Sequence, residues 1–178
     1  EGNNPNCILE GILDIKDNLL FNSNEEIKIE ELELYIDNKN LKIIKEGKKY
    51  KIDSNLDKKK YEFKIYFKNI IKNINFEDCI NLNIIDFTFF DTSNITDMGC
   101  MFKGCKELKE IKGINKFNTS KVTQMNSMFS DCNKLINLDL NFDTSNVTNM
   151  NLMFNECYEL KEIKGINKFN TSNVNAMG

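Results

Sequence analysis

Apolar residues recur along this chain at two different periods. Over 61–67 the string YEFKIYF alternates, with Tyr61, Phe63, Ile65 and Phe67 on one side and Glu62, Lys64 and Tyr66 on the other. That is the pattern of a half-buried strand. CILEGILDI (7–15), IKIEELELYI (27–36), LKII (41–44) and YKID (50–53) read as further strands, with turns at Asp37-Asn38-Lys39-Asn40 and Glu46-Gly47. Residues 1–72 are therefore expected to form a small antiparallel β module.

From residue 73 onward the pattern repeats. FxxC returns as Phe76/Cys79, Phe102/Cys105, Phe129/Cys132 and Phe154/Cys157, in steps of 26, 27 and 25 residues. Each cysteine is followed three residues later by a leucine (Leu82, Leu108, Leu135, Leu160), then a phenylalanine (Phe90, Phe117, Phe142, Phe169), then a methionine (Met98, Met125, Met150, Met177). Only the leucine-to-phenylalanine spacing varies: 8, 9, 7 and 9. Val147, Met150, Phe154 and Cys157 lie at i, i+3, i+7 and i+10, which predicts one stripe of a short helix. The Thr-Ser pairs at 92–93, 119–120, 144–145 and 171–172 are placed to cap such helices, without the acidic partner of a capping box. LINLDL, with Leu135, Leu138 and Leu140 inward, fits the strand consensus L-x-x-L-x-L. The expected fold class is α/β: a leucine-rich-repeat-type solenoid with one strand and one short helix per 25–27 residues and a parallel sheet on one face, behind the N-terminal module. This second domain is expected to span 73–178 and to continue beyond it. A longer period lies on top, because LKEIKGINKFNTS occurs at 108–120 and again at 160–172.

The strings FDTSNVTNM, MFKGC and LDLNFDTSNV make the chain similar to BspA-like leucine-rich repeat proteins, which occur in bacteria and many protists. The resemblance covers roughly 74–178 and rests on the long ordered pattern F-[DN]-T-S-x-[IV]-T-x-M-x-x-M-F-x-x-C. It implies a surface or secreted location, adhesion or protein binding, no enzymatic activity and no cofactor. The unit at Phe76/Cys79 lacks the Thr-Ser and Met landmarks, and the last ends at Gly178 before its Phe and Cys.

Composition narrows the chemistry. The chain holds no His, Arg or Trp and carries a net charge of −3. Without histidine, Ser–His and Cys–His nucleophile pairs are excluded, and no phosphate-binding glycine motif is present. Acidic residues outnumber lysines, which speaks against nucleic acid as partner. No apolar run of membrane-spanning length occurs. Chain start at Glu1 fits removal of a signal peptide or trimming. Four of the six cysteines occupy one position of the repeat, so a ladder of buried thiols is expected over disulfides or zinc. Cys7 and Cys100 lie outside that ladder and are better placed for a bond or a reactive thiol. The sequons at Asn94, Asn118, Asn146 and Asn170 follow from the repeat itself, and the Asp and Asn of FDTSN and FNTSN read as turn residues over calcium ligands. The run Lys58-Lys59-Lys60 reads as a solvated turn.

What remains is recognition. The N-terminal module is expected to cap the first repeat; a separate binding role is the other possibility. Length variation in repeat proteins maps to one face, often the binding face. The outward strand positions are therefore the expected partner-binding residues: Asn83, Ile84 and Asp86; Lys109, Glu110 and Lys112; Ile136, Asn137 and Asp139; Lys161, Glu162 and Lys164. Ile84 and Ile136 stand where a purely solvating face would carry polar groups. The expected partner is another protein or a surface ligand. The alternative is an assembly protein that self-associates through its C-terminal repeat, where Ile166, Phe169, Val174 and Met177 present an apolar end.

Overall fold

The computed structural model describes residues 7–14, 19–23, 27–28, 32–53, 60–67 and 71–178. Residues 58 and 59, and the side chains of Lys60 and Cys7, lie outside the described residues. Eleven strands form where alternation predicts them in the N-terminal part, and after each repeat cysteine. They are β1 (Cys7–Asp14), β2 (Leu19–Asn22), β3 (Leu32–Ile36), β4 (Lys39–Leu41), β5 (Ile43–Glu46), β6 (Lys49–Ile52), β7 (Lys60–Phe67), β8 (Leu82–Asp86), β9 (Glu110–Lys112), β10 (Asn137–Asp139) and β11 (Glu162–Lys164). The β3–β4 turn places Asp37 and Asn38 at positive φ, as a tight two-residue hairpin requires.

The sheets join the two halves of the sequence. One six-stranded sheet runs β4-β3-β7-β1-β8-β9, antiparallel up to β8 and parallel from β8 to β9. β2, β6 and β5 form a separate antiparallel sheet, and β10 with β11 a parallel pair. The first repeat strand thus completes a sheet built by the N-terminal residues. The Cys79 thiol reaches the Leu20 carbonyl, and Phe67 meets Phe90 edge-on at 5.6 Å.

The expected α/β leucine-rich-repeat-type solenoid is not what forms. Among the described residues there is no α-helix; the chain is almost all β, in antiparallel and mixed sheets. The stripe read as helical is a succession of tight turns. Cys100, Ser127 and Leu152 take left-handed conformations, as do Gly104, Asp131 and Glu156, and two such residues per repeat interrupt any α-helix. Alternate N–H groups also point sideways. Met98, Cys100, Phe102 and Gly104 donate to the carbonyls of Gln124, Asn126, Met128 and Ser130 in the next repeat. Met125, Ser127, Phe129 and Asp131 do the same to Asn149, Asn151, Met153 and Asn155. The i, i+3, i+7 positions still turn inward because each turn closes with a bond three residues back, as from Met101 to Met98 and Cys105 to Phe102.

The expected helix caps have other work. Thr92 Oγ1 accepts from Asn118 N–H, and the Thr119 and Thr144 hydroxyls donate to the carbonyls of Asp143 and Asn170, each in the following repeat. All three threonines are buried. The Ser N–H groups are held instead by Asp91, Asn118, Asp143 and Asn170.

Side chains lock the repeats together. Phe76, Phe102, Phe129 and Phe154 stack face to face at 5.6, 5.7 and 5.6 Å, and Phe117, Phe142 and Phe169 form a second ladder. The thiols of Cys105, Cys132 and Cys157 donate to the carbonyls of Phe76, Phe102 and Phe129. All five described cysteines are free.

Candidate functional site

The strands after each cysteine present one outward face. In β9, Glu110 and Lys112 are exposed on either side of buried Ile111; in β10, Asn137 and Asp139 flank buried Leu138; in β11, Glu162 and Lys164 flank Ile163. Lys109 and Lys161 are exposed just before their strands, and Ile84, Asp86 and Ile136 are half-buried. Asn83 departs from the expectation. It is buried at 7% exposure, its Nδ2 3.5 Å from the Glu107 carbonyl, and it is not part of the outward face.

Register sets the electrostatics. Ile84 lies beside Glu110 and Asp86 beside Lys112; Asn137 lies beside Glu162 and Asp139 beside Lys164. One row across the face therefore alternates in sign: Asp86, Lys112, Asp139, Lys164. Among the described residues the face has one ion pair of its own, the 4.0 Å contact of Lys164 with Glu162.

The backbone bonding is uneven. β8 bonds to β9 and β10 to β11, but among the described residues no main-chain bond crosses from β9 to β10. The cause lies in the two repeats with the nine-residue spacing. Each carries a short 3-10 turn after its strand, Ile114–Lys116 and Ile166–Lys168. The glycines that open them, Gly113 and Gly165, have positive φ and lie directly on the preceding repeat: a Cβ would run into Thr88 or into the Leu140 carbonyl. Phe87 and Leu140 complete the clasp by donating to the carbonyls of Lys112 and Lys164. Each long repeat so binds tightly backwards, and the 52-residue period is a pairing of repeats.

A hollow of about 550 Å³ lies over the seam between the pairs. Ile111, Ile114 and Leu138 floor it, with Ile84 and Ile136 at its sides. Eight of the twelve expected residues meet there: Ile84, Lys109, Glu110, Ile136, Asn137, Asp139, Glu162 and Lys164. Asp86 and Lys112 line a smaller hollow next to Glu10, Glu62 and Lys64, where the Glu10 carboxylate, 2.9 Å away, holds the Lys64 ammonium pKa above its ordinary value. Asn83 and Lys161 line neither. Ile114 and Asn115 were not among the expected residues. Asn115 Nδ2 donates to Asp139 Oδ2 at 3.3 Å, one side-chain tie over the seam. The sequence signal for them was the spacing itself, nine residues against seven.

The face offers cations, carboxylates, amides and an apolar floor, which suits non-covalent recognition. The thiols lie elsewhere; burial raises the pKa of Cys105 and Cys132 far above that of a free thiol. Among the described residues no group of three or more Cys, Asp or Glu is placed to hold a metal ion. None of their helices is long and apolar enough to cross a membrane.

The family described as "Mycoplasma protein of unknown function, DUF285" matches residues 70–178. The match takes in all the repeats, and the chain belongs to that family. No curated protein and no solved structure matches the chain.

Proposed function

We propose that this DUF285 chain is a BspA-like, non-enzymatic protein-binding or adhesion module that works at the cell surface through the outward face of β8 to β11. One observation carries the reading: eight residues from four repeats converge on one hollow, where exposed charges surround an apolar floor. A face that served only solubility would not need half-buried isoleucines among its charges. The partner is a protein or another surface ligand. The test is charge reversal at Lys109, Lys112, Lys161 and Lys164, with binding measured to whole cells and to immobilised extracellular-matrix proteins. Rim charges act mainly on the association rate and its salt dependence, so association should slow and lose salt sensitivity. Undiminished binding by the quadruple variant, with loss on altering the 7–67 strands, would move recognition to the N-terminal part.

A second reading has its own support. A hollow of about 500 Å³ lies between Met150, Leu152, Phe154, Ile166, Phe169 and Met177. Ile166 and Met177 are 43% and 63% exposed. Self-association through this surface would appear in sedimentation velocity as a concentration-dependent oligomer, abolished by Met177→Glu.

A further inference from the structure

We propose that the seam between β9 and β10 is a docking groove for an extended peptide segment of a partner protein, one that carries opposite charges two residues apart. The inference rests on the strand-face reading above and names the kind of partner it takes. The first ground is the backbone. The Ile136 carbonyl and the Leu140 N–H both turn toward β11, where they bond to Lys161 and Lys164. Alternation along a strand then turns the Asn137 N–H the other way, toward β9, and no β9 carbonyl meets it. An extended peptide supplies acceptors and donors at the matching repeat, as in strand addition to a sheet edge.

The second ground is charge. Glu110 and Lys112 sit two residues apart on one face, about 6.6 Å along a strand, and neither has an ion pair among the described residues. A docked strand has the same two-residue repeat, so a basic residue over Glu110 brings an acidic one over Lys112. The same pair in β11 is partly satisfied internally, Lys164 to Glu162, which leaves β9 as the free half. The third ground is shape. The hollow above the seam falls within the about 300–1,000 Å³ typical of ligand sites, and its floor of Ile111, Ile114 and Leu138 takes an apolar side chain between the two charges. The Cα atoms of β9 and β10 come within 8 Å, whereas a strand inserted in plane needs about 9.6 Å, twice the strand spacing. The peptide therefore lies on the outer lip of the seam and bonds to the β10 edge.

The probe is an immobilised library of short synthetic peptides holding Lys-x-Glu and Glu-x-Lys pairs around an apolar residue, tested against the whole chain. The best binder is then measured by fluorescence anisotropy. N-methylation of the peptide at alternate residues, and Asn137→Pro in the protein, should each weaken it by about two- to tenfold, the worth of one main-chain hydrogen bond. Glu110→Lys combined with Lys112→Glu should switch preference to the peptide of reversed charge order. Peptides that bind but ignore N-methylation, Asn137→Pro and the charge swap overturn the seam proposal while leaving the strand face as the binding surface. So does a library from which nothing binds, provided the quadruple lysine variant still loses cell or matrix binding. If Asn137→Pro fails to fold, the N-methylated peptides against the native chain decide alone.

Discussion

Phe129 tests whether the ring ladder holds the repeats together. It is 0% exposed and stacked on Phe102 at 5.7 Å and on Phe154 at 5.6 Å. Removing a fully buried ring forfeits about 1.5–3 kcal/mol of transfer free energy. Each aromatic pair adds about 0.5–1.5 kcal/mol beyond area. With the cavity left between two rigid neighbours, Phe129→Ala should cost about 3–5 kcal/mol, the usual range for such truncations. Phe154 is half-buried and, among the described residues, stacks on Phe129 alone. Phe154→Ala loses one pair and less area, so about 1–2.5 kcal/mol is expected. Urea unfolding followed by far-UV circular dichroism gives both values, since a shifted midpoint at constant slope reports stability alone. For a chain of this size Phe129→Ala should also lower Tm by about 6–20 °C, at about 2–4 °C per kcal/mol. Equal losses at the two positions, or a loss below 1 kcal/mol at Phe129, would refute the ladder as a continuous source of stability.

Two further outcomes are expected. Cys100, half-exposed, should be alkylated first in the native protein; Cys157, whose pKa burial pushes up to about 11, should follow slowly, and Cys105 and Cys132 should react only after denaturation. Native labelling of Cys132 at the rate of Cys100, read by peptide mass mapping, would contradict the thiol ladder. Asp91 and Asp143 accept hydrogen bonds from Ser93 and Ser145, which hold their carboxyl pKa values below the ordinary value. A depressed native pKa contributes stability that is present above the unfolded value of about 3.9 and is lost as pH falls through the native one. Asn118 and Asn170 make the same serine bond without a charge, so the double variant Asp91→Asn/Asp143→Asn should keep the fold and flatten the acid limb of the stability profile. An unchanged acid limb would show that these turns do not set it.

The inward positions were legible because burial demands apolar residues whatever the backbone does. Phe102, Met125, Phe129, Cys132 and Val147 are all buried as the repeat pattern requires. The backbone between them was not legible, because a helix and a run of three-residue turns both return the chain inward every third or fourth position. What separates them is where the N–H groups go: back four residues in a helix, sideways into the next repeat here. Gly104 was a visible hint, but Asp131 and Glu156 hold the same left-handed place in the following repeats and resemble ordinary polar surface in the sequence. Asn83 misled for a related reason. The strict alternation of inward and outward positions fails at β8, where Leu82 and Asn83 are both buried and the pairing with β1 shifts register.

The varying spacing carried more information than the conserved landmarks. The strands start five residues after every cysteine, so the extra residues in the longer repeats fall after the strand, in the turns opened by Gly113 and Gly165. Lacking a Cβ, each glycine lets its turn lie on the backbone of the repeat before it. That backward clasp pairs β8 with β9 and β10 with β11 and leaves the facing edges of β9 and β10 unbonded. An unpaired strand edge is a place where another chain can add hydrogen bonds. The sequence difference that marks the 52-residue period is therefore also what creates the surface most suited to recognition. The isoleucines and charges read from the outward positions matter because they surround that opening.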